Sequence, residues 1–227
     1  MTRAVVYDLG AGANPGTALD VAAAAVGRGE AVWAQVHGTG CLIADAFSAQ
    51  GVAALLHARM RGRGAGLPVL VREPAVVHAL FETVGLDAAA LMAAHWPGPL
   101  TLLGPPTPSL HWDLGAAGRL SAVAVSMPSP GFAADLVARI GPCAYLQAHP
   151  DPAVVESAAE AHARMGDAVA VYVQEPPVQS DQTRLPTSIV DVRATAAVLV
   201  RPGAVPEAAL RATCPGLITA DTGAGPQ

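Results

Sequence analysis

The 227-residue sequence contains no lysine, and all of its basic side chains are arginine. Thirteen basic residues stand against 18 acidic ones, which gives a net charge of −5 at pH 7. A negative net charge argues against an extensive nucleic-acid-binding surface, so we expect no DNA partner. Any electropositive site must be local, and only Arg59, Arg61 and Arg63 cluster along the chain.

Cysteines and long apolar runs are also scarce. Cys41, Cys143 and Cys214 are widely spaced and odd in number, which is typical of a reducing compartment and provides no metal-ligand pattern. The chain is 52% hydrophobic, yet no apolar run reaches the length of a membrane span. Residues 4–7 resemble a strand and not a signal peptide. We therefore expect a cytoplasmic protein without a membrane partner or a metal site.

Short strands alternate with alanine-rich helices along the whole chain. This spacing predicts an α/β fold with a mixed sheet, in a single domain over residues 1–227 with a tail from about residue 213. Local signals predict where the helices begin. Asp87 and Asp151 are expected to be N-caps, and Thr17 with Asp20 resembles a capping pair.

The most distinctive segment is a helix stop followed by a strand. Two prolines flank a glycine in His95-Trp96-Pro97-Gly98-Pro99, which ends the preceding helix and sets a rigid turn. Residues 100–103, Leu-Thr-Leu-Leu, have the apolar content of a buried strand. The segment therefore predicts a structural corner in which the tryptophan is a core anchor.

The same nine residues, HWPGPLTLL, resemble the signature of the YrdC-like family, the threonylcarbamoyl-adenylate synthases and their relatives. Further segments match in order over about residues 18–205, including residues 187–191 and 200–205. The resemblance implies an open, twisted α/β sheet of mixed strands, with flanking helices that enclose a concave pocket. It also implies threonine, bicarbonate and ATP as substrates, with transfer of the product to tRNA by a partner. Relatives inside carbamoyltransferases make carbamoyl-adenylate.

The segments that form the family's pocket differ in this chain. The family's Pro-Thr-Asp-Thr-x-Tyr-Gly-Leu becomes Gln-Val-His-Gly-Thr-Gly-Cys-Leu at residues 35–42, and its Ser-Ala-Asn becomes Gln147-Ala148-His149. Its Lys-x-Arg pair becomes Arg61-Gly62-Arg63. Losing several charge-assisted hydrogen bonds, at ~1.5–3 kcal/mol each, would weaken ATP binding severely.

The candidate site residues follow from these positions. Arg61 and Arg63 are expected to clamp an oxyanion, with a solvated surface loop as the alternative. His37 and His149 occupy former pocket positions and are candidates for acid–base catalysis, although a lone histidine is often structural. Cys41 lacks a readable base, which favours a small buried hydrophobe over a nucleophile. The remaining ligand-binding candidates are Thr39, Gln147, Thr187, Ser188 and Arg201.

Three functions remain open from the sequence. The main hypothesis is a repurposed enzyme, or enzyme subunit, that acts on a small phosphate-, sulfate- or carboxylate-bearing metabolite in specialised biosynthesis, with no cofactor identified from the sequence. The alternative is a threonylcarbamoyl- or carbamoyl-adenylate synthase that uses ATP and serves tRNA only indirectly. The third is a non-catalytic partner of a transferase-like subunit. We expect the segments around residues 37, 61–63, 147–149 and 187–188 to converge on one cavity, where arginine charges depress a histidine pKa.

Overall fold

The computed structural model describes residues 3–64, 66–110, 112–151, 154, 156–176 and 185–220. Within these residues, eleven strands form one sheet and seven α-helices pack on its two faces. The strands are β1 Val5–Asp8, β2 Val32–Val36, β3 Thr39–Asp45, β4 Val69–Leu70, β5 Leu100–Gly104, β6 Val123–Ser126, β7 Cys143–Gln147, β8 Val171–Gln174, β9 Ser188–Asp191, β10 Val198–Arg201 and β11 Ile218–Thr219. The helices are α1 Pro15–Gly27, α2 Ala49–Ala58, α3 Val77–Leu80, α4 Leu86–His95, α5 Phe132–Ile140, α6 Ala158–Met165 and α7 Glu207–Thr213.

The sheet is mixed and open, as the sequence predicted. Its strand order is β1-β8-β2-β3-β7-β4-β6-β5-β9-β10-β11. The pairs β1–β8, β2–β8, β4–β6, β5–β9 and β10–β11 are parallel. The other pairs are antiparallel, including the β2–β3 hairpin and β3–β7 at the centre. None of the helices in the described part of the chain is long and apolar enough to cross a membrane.

The hydrophobic core lies in two layers because strand side chains alternate between the two faces of a sheet. Trp33 belongs to the layer that packs against α2, α4 and α6, whereas its neighbours Val32 and Ala34 belong to the layer under α1 and α5. In the described residues, this second layer contains nothing from β5, β6, β9 or β10. On that half of the face the strands carry polar side chains, including Thr101 and Ser126.

The corner at residues 95–103 is confirmed. Helix α4 ends at His95, the Trp96–Pro97 peptide is cis, and β5 begins at Leu100. The indole of Trp96 is buried and donates a 2.8 Å hydrogen bond to the Leu100 carbonyl, which fixes the direction of the strand. This corner delivers Thr101 to the polar part of the sheet.

The predicted helix starts are partly wrong. Asn14, and not a Thr17–Asp20 pair, caps α1 by accepting the Thr17 N–H at 3.0 Å. Gly85 is the N-cap of α4, and Asp87 lies within the first turn of the helix, where its carboxylate accepts the Ala197 N–H at 3.3 Å.

Helix α6 also begins later than expected, after Ser157 and not at Asp151. Ser157 and Glu160 form a reciprocal capping box, which satisfies two free N–H groups at once.

Part of the expected C-terminal tail is structured. Helix α7 ends at Thr213, Cys214 and Leu217 are buried, and β11 adds to the edge of the sheet. Residues 221–227 of that predicted tail lie outside the described residues.

Candidate functional site

Four hydroxyl-bearing side chains lie together on the polar half of the sheet. Thr101 and Ser126 are direct cross-strand partners on β5 and β6. The Thr101 hydroxyl is 3.0 Å from the Thr187 hydroxyl, which precedes β9. The Tyr145 hydroxyl of β7 lies close enough to Thr101 and Ser126 for both hydroxyls to lower its pKa. We call these four residues the hydroxyl row.

Burial dominates the electrostatics of the hydroxyl row. It raises the pKa of Tyr145 to about 12, against smaller opposite effects of the hydrogen bonds to Thr101 and Ser126 and of the Arg201 charge. Burial disfavours the charged form of a phenol, so Tyr145 stays protonated near neutral pH. The row therefore contains neutral groups that can donate hydrogen bonds.

Arg201 stands at one end of the hydroxyl row. Its guanidinium donates to the Thr187 carbonyl at 2.7 and 3.1 Å and to the Thr187 hydroxyl at 3.0 Å. Desolvation lowers the pKa of Arg201. No ion pair of Arg201 is found among the described residues, so its positive charge is available to an anion.

His37 closes the other end. It follows β2 in a two-residue turn in which His37 and Gly38 have φ values of +50° and +76°, as in tight β-hairpins. Its Nδ1 is 3.2 Å from the Ser129 hydroxyl, and its Nε2 is 3.2 Å from the Ser126 hydroxyl. Three strands separate β2 from β6, a distance of about 19 Å in a flat sheet. The sheet therefore curls, and the predicted concave face exists.

The lowered pKa of His37 has a different cause from the one expected. Burial, and not arginine charge, lowers its pKa to about 4. A neutral imidazole has one donor and one acceptor nitrogen, and both nitrogens of His37 already contact hydroxyls. The ring therefore fastens the turn between β2 and β3 to the start of the segment that leads into α5.

A group of positive charges lies at the carboxyl end of β7. Arg59, just after α2, donates from Nε to the Gln147 carbonyl at 2.8 Å, and Arg164 of α6 donates to the Ala148 carbonyl at 3.2 Å. Desolvation, followed by the charges of Arg164 and Arg61, lowers the pKa of Arg59. We call Arg59, Arg61 and Arg164 the arginine end.

The three arginines differ in whether an acidic residue neutralises their charge. Glu156 neutralises Arg164 through two hydrogen bonds of 2.8 and 2.7 Å. Arg59 and Arg61 form no ion pair within the part of the chain that the structure describes. Gln147 and Tyr145 are two residues apart on β7, about 7 Å, so the arginine end lies at the end of the strand that carries Tyr145 of the hydroxyl row. We call the concave side of the curled sheet, which the hydroxyl row lines, the cleft.

Other predicted site residues lie at or near this cleft. Gln147 ends β7, on the same face as Tyr145, and pairs with Cys41. Thr39 begins β3 and shares the face of Cys41. The Nδ1 atom of His149 lies 3.1 Å from the Asp151 backbone nitrogen and 3.0 Å from the Asp151 carbonyl oxygen, which holds the ring close to its own loop.

Two predicted residues point elsewhere. Arg63 forms an exposed bidentate ion pair with Asp113, with both distances 2.6 Å. Ser188 is fully buried, where it donates to the Val205 carbonyl at 2.8 Å and accepts the Val205 N–H at 3.1 Å. The expected convergence of the four segments is therefore partial: Thr187 reaches the cleft, whereas Ser188 belongs to the opposite, apolar face.

Sequence reasoning did not assign Thr101, Ser126, Tyr145 or Arg59 to the site. Thr101 is 3% exposed and Ser126 is fully buried, so both are polar residues inside apolar strands. The signal that could have identified them is a hydroxyl residue inside an otherwise apolar strand, because a buried hydroxyl needs a hydrogen-bond partner. Arg59 was recognised only as part of a basic cluster.

The packing of Trp33 explains one of the sequence differences in the hairpin of β2 and β3. Gly40 occupies the position of the family's tyrosine, and a Cβ atom there would lie 2.5 Å from Cζ2 of Trp33. The buried Trp33 ring thus fills the space beside the glycine. Burial also raises the pKa of Cys41 to about 12, which agrees with the expectation of a buried small hydrophobe. No cluster of three potential metal ligands occurs in the described residues.

This chain is similar to known proteins both in sequence and in fold. The Sua5/yciO/yrdC family model, described as Telomere recombination, matches residues 25–203. The putative threonylcarbamoyl-AMP synthase of Mycobacterium tuberculosis is 37% identical over 174 residues, which cover 75% of this chain and 75% of that protein.

Two solved structures share the fold. The structure of P. abyssi Sua5 complexed with L-threonine has a TM-score of 0.82 at 20% identity, covering 96% of this chain and 62% of that chain. HypF of T. kodakarensis has a TM-score of 0.65 at 16% identity. There, the match covers 83% of this chain but only 24% of HypF, so the same fold also occurs inside a much larger protein.

Proposed function

Because this chain belongs to the Sua5/YciO/YrdC family, we propose that it is an adenylate-forming synthase that joins a carbamoylated amino acid to AMP in the cleft. The amine of the amino acid would combine with bicarbonate to give a carbamate and water. A carbamate oxygen would then attack the α-phosphorus of ATP and release pyrophosphate. The names of the relatives favour this ATP-using alternative over a repurposed enzyme of specialised biosynthesis, for which they offer no support.

The observation that carries the proposal is the pair of uncompensated charges at the arginine end. Arg59 and Arg61 concentrate positive charge in a protein of net charge −5. Arg59 donates to the Gln147 carbonyl at the end of β7, two residues from Tyr145 of the hydroxyl row. Guanidinium groups bind phosphate oxygens through charge-assisted hydrogen bonds, so this end suits the phosphates of ATP.

The hydroxyl row would hold the amino acid. Arg201 supplies a cation for its carboxylate, already oriented by the Thr187 carbonyl and hydroxyl. Thr101 and the protonated Tyr145 supply neutral hydrogen-bonding groups beside it. A side-chain hydroxyl on the substrate would match this lining, which fits threonine, the ligand named for P. abyssi Sua5.

The two candidate histidines would have different roles. His37, with a pKa of about 4 and both nitrogens engaged, is a poor proton acceptor and would position Ser126 instead. His149 would face a phosphate oxygen at the arginine end with its Nε2 atom, which donates when it carries the ring proton. The family's asparagine at this position also offers an N–H donor, so the replacement conserves that capacity.

Calorimetric titration tests the proposal. ATP should bind the wild-type protein, and threonine should bind in the presence of ATP. Arg201→Ala should weaken threonine binding by about tenfold or more while leaving ATP binding close to wild type. Arg139→Ala, which removes an exposed arginine of α5, is the matched control. Failure of both ligands to bind the folded protein would refute the proposal.

A second candidate is the repurposed enzyme, favoured by the replacement of the family's Ser and Asn by Gln147 and His149. In this case, inorganic phosphate, sulfate or a carboxylate would bind at the arginine end and ATP would not. A third role, support of a transferase-like partner, is favoured by the occurrence of the fold within HypF. It predicts an inactive chain that gains activity only when the partner is added, and tRNA would then be reached only through that partner.

A further inference from the structure

A second cavity lies on the other face of the sheet, behind the cleft. It has a volume of about 590 Å³, and the loop between β5 and β6 provides most of its lining. Val123 lines it and belongs to the α2 and α4 core layer, whereas Ser126 faces the cleft. The cavity is therefore separated from the hydroxyl row by the sheet itself.

The loop that forms this cavity is held in place at several points. The Thr107 N–H donates to the Leu80 carbonyl at 2.9 Å, and the Leu67 N–H donates to the Leu114 carbonyl at 2.7 Å. The Arg63–Asp113 ion pair fastens it to the loop after α2. An edge-to-face contact with Phe47, with ring centroids 5.0 Å apart, fixes the Trp112 ring. The walls are thus preformed.

Two buried polar atoms of the lining have no hydrogen-bond partner. These are the Thr107 hydroxyl and the Trp112 indole N–H, two of the three such side-chain atoms among the described residues. Buried polar groups are nearly always paired, because an unpaired one costs free energy. The indole N–H can only donate, so the missing partner must be a hydrogen-bond acceptor.

The charge balance of the lining is positive. Asp113 is the acidic lining residue, and the Arg63 guanidinium neutralises it and lowers the pKa of its carboxyl. Arg119 also lines the cavity and has no ion pair in the described part of the chain. One cationic charge thus remains for a ligand, beside apolar walls that include Pro108, Leu110 and Leu120.

We propose that this cavity binds a small amphipathic carboxylate. Arg119 would bind the carboxylate, the Trp112 indole N–H and the Thr107 hydroxyl would donate to acceptor oxygens, and the apolar walls would cover a hydrocarbon or aromatic body. The volume lies within the range of small-molecule pockets, and a few polar groups in an apolar lining are typical of such sites. This site is independent of the function proposed for the cleft.

The test uses 4-phenylbutyrate and its uncharged analogue 4-phenylbutanol as probes, titrated calorimetrically into the full-length protein. The acid should bind at least about tenfold more tightly than the alcohol, and Arg119→Ala should remove that preference. Trp112→Phe, which keeps the ring and removes the N–H, should weaken binding severalfold. Arg139→Ala should bind the acid like the wild type.

Arg201→Ala distinguishes the two positive sites. If 4-phenylbutyrate occupies the second cavity, Arg201→Ala binds it like the wild type. The proposal is overturned if the acid does not bind, if Arg119→Ala binds it unchanged, or if Arg201→Ala abolishes binding, which would locate the probe in the cleft. Circular dichroism of each variant confirms folding, and Arg119→Ala, at an exposed position, keeps the test decisive if Trp112→Phe does not fold.

Discussion

The hydroxyl row and the arginine end both adjoin β7 but satisfy their polar groups in opposite ways. In the hydroxyl row, Thr101, Ser126 and Thr187 are all hydrogen-bonded to protein atoms and lie on or beside strands. At the arginine end, Arg59 and Arg61 carry charge that no described acidic residue neutralises. Burial with full hydrogen bonding gives a rigid, preformed surface, whereas uncompensated charge needs an anion.

From this difference we propose that the two groups have different roles in ligand binding. The neutral, rigid part suits recognition of a small substrate by shape and hydrogen bonds, and the charged part suits attraction of a phosphate-bearing one. Substitutions confined to one of the two groups should therefore have separable effects.

The largest effect is expected from removing the free charges. In the double variant Arg59→Ala/Arg61→Ala, two charge-assisted contacts to phosphate are lost, so the free energy of ATP binding should weaken by about 3 kcal/mol or more. Isothermal titration measures this loss. The control Arg139→Ala removes an exposed arginine that already pairs with Asp20 and should bind ATP normally. Unchanged ATP affinity in the double variant would mean that the arginine end is not the phosphate site.

The next effect concerns the His37 ring, which links the turn between β2 and β3 to Ser126 and Ser129. Unfolded histidine has a pKa near 6.5 and folded His37 one of about 4, so the unfolded state binds more protons between these values. Stability is therefore retained above pH 6.5 and lost as the pH falls towards 4, by up to about 3 kcal/mol from this residue. His37→Asn, which tolerates the left-handed turn, should remove that part of the pH dependence.

Urea unfolding of wild type and His37→Asn at pH 4.5 and pH 7.5 measures the change. The exposed His78→Asn is the matched control for loss of an imidazole. If the wild type and His37→Asn lose stability equally on acidification, the ring is not buried as a neutral group.

A smaller effect should follow a change within the hydroxyl row. Thr101→Val keeps the shape of the side chain and removes its hydroxyl, which is hydrogen-bonded to the Thr187 hydroxyl. We expect a loss of about 1–2 kcal/mol in the free energy of unfolding, together with weaker threonine binding. Thr107→Val removes a hydroxyl that has no partner, so it should cost less stability. Equal losses in the two variants would show that the row is not an integrated network.

The smallest effect on ATP affinity is expected from replacing Arg63, which lies two residues from Arg61. Arg63 is exposed and already paired with Asp113, and such surface ion pairs contribute little. Arg63→Ala should therefore change ATP affinity by less than about twofold, whereas Arg61→Ala alone should weaken it clearly. A strong loss of ATP binding in Arg63→Ala would show that Arg63 leaves Asp113 to bind the nucleotide.

The sequence predicted the fold better than the site. The corner at residues 95–103 was predictable because two prolines and a glycine act locally, and the resemblance then implied the sheet. The arginine motif does not predict how its two arginines differ: Arg63 pairs with Asp113, which lies 50 residues away along the chain, whereas Arg61 forms no ion pair with a described residue. Tyr145 and Thr101 escaped notice because their contact depends on how the sheet curls, which local patterns do not encode.

The most direct test of the account is the product itself. The purified protein is incubated with ATP, threonine and ¹³C-bicarbonate, and the nucleotides are analysed by mass spectrometry. The account predicts a ¹³C-labelled threonylcarbamoyl-adenylate that disappears when threonine, bicarbonate or ATP is omitted and that is strongly reduced in Arg59→Ala/Arg61→Ala. Absence of any labelled adenylate from folded protein, with ATP left unchanged, would contradict it.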